Sequence, residues 1–333
     1  VPKMRRTTVH AELGNTALNL TLPEALEYVY AFKQSEGLRP ETMKDYPLLW
    51  RYFTEYLAEH EPDVERVEDI TTQIIRKYVG YLQNEHYNEK RQAYGLAPAT
   101  INIRLRILRS IFNVLHSENI VNKNPMVGVK LLKTDEDKFT PFTKDELHRL
   151  LKQPDVKYYA SFRDLVAMYL MLDTGIRARE IFNLEMRHVD FKMRCLTLTG
   201  DITKNRKPRI LPLSNEVIRL LMELVSEVKA NFATEYVFTS SRGERYRANS
   251  FRKRLYNYRI SAGIEKPVSP HSLRHQFCTD YILNGGDLFT LQRIAGHENI
   301  TTTRKYIQFT SEDIKRKHAE FSPVVALRKK YRR

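Results

Sequence analysis

Residues 122–142, NKNPMVGVKLLKTDEDKFTPF, decide how this chain is partitioned. The stretch breaks helical periodicity, mixes proline with charges of both signs, and is too long for a tight turn, so it predicts an interdomain linker. Directly after it, Thr143-Lys-Asp-Glu146 has the spacing of a capping box, threonine at N-cap and glutamate at N3, so a new domain opens at residue 143. Before the linker the apolar spacing is helical throughout. After it, two β-rich runs interrupt the helices. The resulting expectation is a mainly α chain: a helical domain over 21–121, the linker, and a mixed α+β domain over 143–321. A basic lead (1–20) and a basic tail (322–333, ending RKKYRR) flank them. With 333 residues and 42% hydrophobic content, there is material for two cores.

Four helices are expected in the first domain. One is TLPEALEYVYAFKQSEG (21–37), with Pro23 at N1 and Gly37 as a C-terminal cap; the others cover 41–59, 71–85 and 98–117. The last carries Ile101, Leu105, Leu108, Ile111, Phe112 and Leu115 at helical spacing, the pattern of a core-facing stripe. Arg104, Arg106 and Arg109 have no acidic partner at i±4 and are read as a basic face for phosphates, together with Lys44 on the second helix. No strand is expected in this half. In the second domain, Cys195–Thr199 (CLTLT) and Arg209–Leu213 (RILPL) predict a small antiparallel hairpin whose tip carries Lys204, Arg206 and Lys207.

Lys and Arg outnumber Asp and Glu by 55 to 40, a formal charge of +15, which favours a polyanionic partner such as nucleic acid. Cys195 and Cys278 lie far apart without a CxxC pattern, so neither a disulfide framework nor a zinc site is indicated, and a reducing cytoplasm fits. The longest apolar run, Leu165–Leu172, is far too short to span a bilayer, and the start has no signal-peptide core; no membrane association is expected. There is no P-loop, no DxD-type carboxylate cluster and no HExxH segment, so neither a nucleotide nor a metal is expected as cofactor. His271 and His275 have a metal-ligand spacing but no third ligand nearby in sequence.

Five short segments carry the chemistry: Thr174-Gly-Ile-Arg177-Ala-Arg-Glu180, Lys204 with Lys207 at the hairpin tip, His271-Ser-Leu-Arg274-His275, Gly296-His297, and Tyr306 after the threonine run 301–303. Singly each is weak. In order and type, Arg177, Lys204, His271, Arg274, His297 and Tyr306 resemble the signature of the tyrosine site-specific recombinases, the phage integrase family. The helical first half resembles that family's core-binding domain, so the likeness spans nearly the whole chain. It implies a SAM-like core-binding domain and a catalytic domain that close as a C-shaped clamp on double-stranded DNA. The chain departs from the family where glycines usually flank the catalytic lysine; Thr203 and Asn205 stand there instead, so Lys207 remains an alternative to Lys204.

The chemistry agrees with the resemblance. Attack on a phosphodiester builds charge on the non-bridging oxygens, and planar, permanently charged guanidiniums suit that task, which assigns Arg177 and Arg274 to an electrostatic clamp. A tyrosine hydroxyl must lose its proton to attack; His271 is the expected base and His297 a hydrogen-bond donor to phosphate. Lys204 would protonate the leaving 5′ oxygen, with Glu180, Lys207 and His275 in support. The product would be a 3′-phosphotyrosyl linkage at Tyr306, resealed without ATP. The resemblance also implies a tetramer on two DNA sites, formed from a monomer or weak dimer and coupled through the chain end after Tyr306, residues 311–320 followed by 321–327, with the nucleophile mobile or shared through the flanking segment 299–327. No complete further arm-binding domain is expected before residue 20. A type IB topoisomerase or telomere resolvase would use equivalent chemistry; a DNA-binding repressor that keeps the scaffold without cutting is the alternative from a different class.

Overall fold

A computed structural model of the chain describes residues 19–89, 91–134, 139–306, 315 and 318–324. The chain separates into two compact units, Val1–Asp137 and Lys138–Arg333.

The first unit contains α1 (Leu22–Ser35), α2 (Pro40–Met43), α3 (Asp45–His60), α4 (Thr72–Asn84), the two-residue strands β1 (Tyr87–Asn88) and β2 (Ala93–Tyr94), and α5 (Pro98–Ser117). Helix α1 starts at a capping box of Thr21 and Glu24, with Pro23 in the second position of the helix rather than the first. Gly37 closes it at φ +71°, a left-handed conformation that costs glycine nothing. The expected helix over 41–59 is broken at Lys44 into α2 and α3. The core of the unit gathers Val29, Phe53, Leu57, Ile75, Tyr78, Leu82 and the α5 stripe Ile101, Leu105, Leu108, Ile111, Phe112 and Leu115.

Three expectations for this half change. A hairpin exists where no strand was expected: Tyr87 pairs with Tyr94 and Asn88 with Ala93, and the two tyrosine rings meet edge-on at 5.3 Å. Strands of two residues are too short to show an alternating pattern, which is why the sequence conceals them. The first part of the stretch read as a linker packs on the helical unit. Met126 and Val129 are buried in its core, and Leu132 exchanges two hydrogen bonds with the Asn102 side chain at 2.8 and 2.9 Å. Arg104 is not on a free basic face. It is 7% exposed, its guanidinium donates to the Tyr78 hydroxyl at 3.2 Å and lies 4.5 Å from the Tyr52 ring. The reason is periodicity: Arg104 is three residues after Ile101 and four before Leu108, hence beside the apolar stripe. Arg109 donates to the Val129 carbonyl at 2.6 Å, whereas Lys44 and Arg106 are exposed.

The second unit contains α6 (Lys144–Leu151), α7 (Tyr159–Thr174), α8 (Ala178–Ile181), β3 (Val189–Asp190), β4 (Cys195–Leu198), β5 (Arg209–Pro212), α9 (Asn215–Asn231), α10 (Ala248–Ser261), α11 (Pro270–Leu283), α12 (Leu288–Ala295) and α13 (Ile300–Arg304). The capping box read from the sequence opens α6: Glu146 N donates to Thr143 Oγ1 at 3.1 Å and Thr143 N to the Glu146 carboxylate at 2.7 Å. Helix α7 packs against both α9 and α11, and Val166, Ala167, Met168, Leu170 and Met171 are all fully buried, as a helix apolar on most of its surface requires. The expected hairpin is the β4–β5 pair of a three-stranded antiparallel sheet, ordered β3-β4-β5, with Leu198 opposite Arg209 and Cys195 opposite Pro212. No described helix is long and apolar enough to cross a membrane.

Candidate active site

Five elements of the second unit bring the expected residues together. Helix α7 ends at Thr174, and Gly175 turns the chain at φ +62°; a Cβ there would lie 2.4 Å from the Phe277 ring, so glycine is required by conformation and by space. The turn delivers Arg177 to the N-cap of α8, where its backbone amide donates to Glu180 Oε2 at 3.1 Å and its guanidinium to Glu180 Oε1 at 3.1 Å. The same guanidinium donates to the Gly296 carbonyl at 2.7 Å. Its side chain remains 24% exposed, enough for a ligand to reach it.

Helix α11 begins with Ser269 as N-cap and Pro270 at its first position, which fixes His271, Arg274 and His275 on one side. Arg274 is 3% exposed and donates to the carbonyls of Gly175 at 2.5 Å and Ala295 at 2.7 Å. Burial, then the charge of Arg177, pushes its pKa down to about 10, so it stays protonated near neutrality. Each of these guanidiniums carries five N–H donors and, among the described residues, uses two on the protein, which leaves donors for an anion.

Tyr306 follows α13 and is 7% exposed, packed with Phe277, Cys278, Ile282, Leu291 and Ala295. Its hydroxyl is 2.7 Å from His275 Nδ1, and its ring packs in the same cluster as Cys278. The His297 ring lies parallel to the tyrosine ring at 6.2 Å and its Nδ1 meets Thr303 Oγ1 at 2.9 Å. His271, expected as the base, is not the residue that holds the hydroxyl; it packs edge-on against His275, with ring centres 4.2 Å apart.

Electrostatics follow from this crowding. Burial raises the Tyr306 pKa above 10, opposed by Arg274 and Arg177. Burial lowers His275 to about 4, helped by His271 and Arg274, and lowers His297 to about 3, helped by Arg274 and Arg177. His271 is lowered by desolvation and then by Arg274, Arg177 and Lys204. Near neutral pH the histidines are therefore uncharged and the phenol keeps its proton. Lys204 is exposed at the hairpin tip, and its field is felt at His271. Lys207 and Arg206 are exposed on the same tip, where the Lys207 amide donates to Asn205 Oδ1 at 3.3 Å.

Two features were missed in the sequence. Arg209 places its guanidinium against Glu180, at 3.1 and 2.5 Å to the two carboxylate oxygens; the only signal was its position at the start of a strand next to the basic tip. Helix α10 exposes Arg252, Lys253, Tyr256 and Asn257 on the side opposite buried Phe251 and Leu255. Residues 242–259 hold seven Arg or Lys against one Glu, a density the sequence displayed plainly. Segment 299–327, for which a subunit-coupling role was expected, lies partly outside the described residues; of its far part, Phe321 and Val324 are exposed. The basic lead, apart from residues 19 and 20, and the final RKKYRR also lie outside them.

Residues 141–312 match the phage integrase family, and 22–131 match the phage integrase SAM-like domain. Tyrosine recombinase XerD of Staphylococcus aureus is 27% identical over 301 residues, covering 89% of this chain and 97% of that protein. In fold, the chain is similar to the Tn1549 transposon integrase in complex with a circular intermediate DNA (TM-score 0.70, 19% identity, 89% of this chain and 99% of that one). It is also similar to a lambda integrase tetramer bound to a Holliday junction (TM-score 0.67, 18% identity, 93% and 85%). With a tyrosine, two arginines and two histidines meeting under the helix ends of its second unit, and with both units matched, this chain belongs to the phage integrase family: it is a tyrosine site-specific recombinase, an enzyme that cleaves and rejoins DNA.

Proposed function

We propose that Tyr306 is the nucleophile of this recombinase and forms a 3′-phosphotyrosyl intermediate that stores the energy for rejoining, with no step that needs ATP. The observation that carries the reading is the hydrogen bond between the Tyr306 hydroxyl and His275 in a pocket that also holds Arg177 and Arg274. A scissile phosphate bound to the two guanidiniums would meet donors already oriented by protein carbonyls, so stabilising its transition state costs no reorganisation. The phenolic proton passes first to His275, whose uncharged ring is in contact; the His271 ring packs against His275. His297, held by Thr303, donates to a non-bridging oxygen. Lys204 delivers the proton to the leaving 5′ oxygen, with Lys207, exposed on the same tip, as the alternative.

Exposed Arg252, Lys253, Tyr256 and Asn257 of α10 suit contact with DNA, arginine and asparagine being the side chains that read guanine and adenine edges. Lys44 and Arg106 would add phosphate contacts. Arrangement as a tetramer on two sites is supported by the fold shared with the lambda integrase tetramer. The domain limits we propose are a core-binding domain over 21–121, with 122–132 packed on it, and a catalytic domain over 143–321.

The test is capture on a suicide duplex carrying the recombination site. Wild type should form a covalent adduct that maps to Tyr306, and Tyr306→Phe should bind the duplex equally and form none. Tight binding without any adduct would instead favour a repressor on the recombinase scaffold.

A further inference from the structure

The last carbonyls of α12 are taken by three arginines from three different elements. Arg209 Nε donates to Ile294 O at 3.0 Å, Arg274 Nη2 to Ala295 O at 2.7 Å, and Arg177 Nη2 to Gly296 O at 2.7 Å. The two carbonyls before them, of Gln292 and Arg293, accept from the backbone amides of His297 and Gly296 at 3.1 Å. The helix end thus presents a row of three acceptors, at the negative pole of its dipole, to three cations.

Arg209 differs from the other two. Its side chain is 9% exposed, and its donors are directed inward: Nη1 and Nη2 grip the two oxygens of Glu180 at 3.1 and 2.5 Å while Nε holds Ile294 O. Glu180 is 1% exposed and is also the acceptor for the Arg177 guanidinium. Gly296 makes room for this: a Cβ there would sit 3.2 Å from Cδ, Nε and Cζ of Arg209. Both anchors of Arg177, the Glu180 carboxylate and the carbonyl of Gly296, therefore belong to parts that Arg209 ties together. Arg209 also begins β5, five residues after Lys204, so the same side chain fastens the base of the lysine-bearing hairpin to α8 and α12.

We propose that Arg209 is a positioning residue for DNA cleavage: by holding the Glu180 carboxylate and the end of α12 at once, it fixes the direction in which the Arg177 guanidinium meets the phosphate. The proposal rests on the cleavage chemistry proposed above. Arg209 itself does not reach the reacting atoms. Its loss leaves the charge of Arg177 in place but frees its aim, so the chemical step suffers and DNA affinity does not. Lysine cannot replace it, because one ammonium does not reproduce a planar fork spanning three acceptors.

The experiment compares full-length wild type, Arg209→Met and Arg209→Lys on two suicide duplexes. One carries an ordinary scissile phosphate; in the other a methyl group replaces one non-bridging oxygen, which removes the charge that the clamp neutralises. On the ordinary phosphate both variants should cleave about 10- to 100-fold more slowly than wild type, with DNA affinity within about twofold. On the neutral substrate the difference from wild type should shrink to less than about fivefold, because misaimed charge matters little there. Equal losses on both substrates would mean a general structural role and overturn the proposal, as would wild-type rates on the ordinary phosphate. If Arg209→Met fails to fold, Arg209→Lys, which keeps a cation beside Glu180, carries the same comparison. Failure of wild type to form an adduct on either substrate would count against the cleavage reading and not against Arg209.

Discussion

Removing the Glu180 carboxylate should unsettle the catalytic unit by an amount that the structure allows to be estimated. Glu180 is 1% exposed and accepts from Arg177 and from both Nη atoms of Arg209, whose side chain is itself 9% exposed. Glu180→Ala leaves two guanidiniums close together with only carbonyl acceptors. Breaking a buried ion pair from one side costs about 3–5 kcal/mol. For a unit of this size, each kcal/mol lowers the melting temperature by about 2–4 °C, so a fall of roughly 6–20 °C is expected in calorimetry of the full chain. Glu180→Gln keeps the shape and one acceptor oxygen and should lose about half as much.

The pH dependence gives an independent check. Burial raises the Glu180 pKa, but the hydrogen bonds and charge of Arg209, then Arg177, more than offset this, so the folded value lies below 4.5. A carboxyl with a depressed folded pKa adds stability above its unfolded pKa and loses it as pH falls through the folded one. Wild type should thus lose more stability than Glu180→Gln on acidification from pH 5 to 3. A Glu180→Ala variant within about 1 kcal/mol of wild type, or parallel acid slopes for wild type and Glu180→Gln, would refute the account of this carboxylate as the buried centre of the arginine network.

Other predictions concern the proton path and DNA contacts. His275→Asn should slow adduct formation by about 100-fold or more in single-turnover assays from pH 6 to 9, with His271→Asn less affected; the reverse order would return the base to His271. Because His275 titrates at about 4, its protonation should leave no inflection in the wild-type rate profile above pH 5. With a 5′-thiolate leaving group, which needs no proton, Lys204→Ala should be rescued and Lys207→Ala should show no comparable gain; rescue of Lys207→Ala alone would reassign the acid. Arg106→Ala should reduce the slope of log affinity against log salt by about 0.9. Arg104→Ala should leave that slope unchanged and lower the melting temperature of the helical unit, and a changed slope would place Arg104 on DNA.

Much of the architecture could be read from local pattern. The capping box at Thr143, the helix Pro98–Ser117 and the β4–β5 pairing needed only neighbouring residues, and the structure has them where the spacing puts them. Chemical identity was also legible, because Arg177, Lys204, His271, Arg274, His297 and Tyr306 in that order are a demanding combination. What pattern could not supply were facts created by contact between distant segments. Arg104 looked solvated because sequence shows no acidic partner, yet its partners are the aromatic Tyr78 and Tyr52. Arg209 looked like the start of a strand, yet it closes on Glu180, 29 residues away, and on Ile294, 85 away.

The sequence by itself determined which side chains are available for phosphoryl transfer and in which secondary elements they sit, since both depend on residue type and short-range periodicity. Only the tertiary structure decided which histidine touches Tyr306 and which groups orient the arginines. His271 and His275 stand four residues apart on one helix, so spacing cannot choose between them; the choice is made by the packing of Tyr306 against Phe277, Cys278 and Leu291. Likewise the aim of Arg177 is set by a carbonyl 119 residues away at the end of α12, a partner that exists only once the chain has folded.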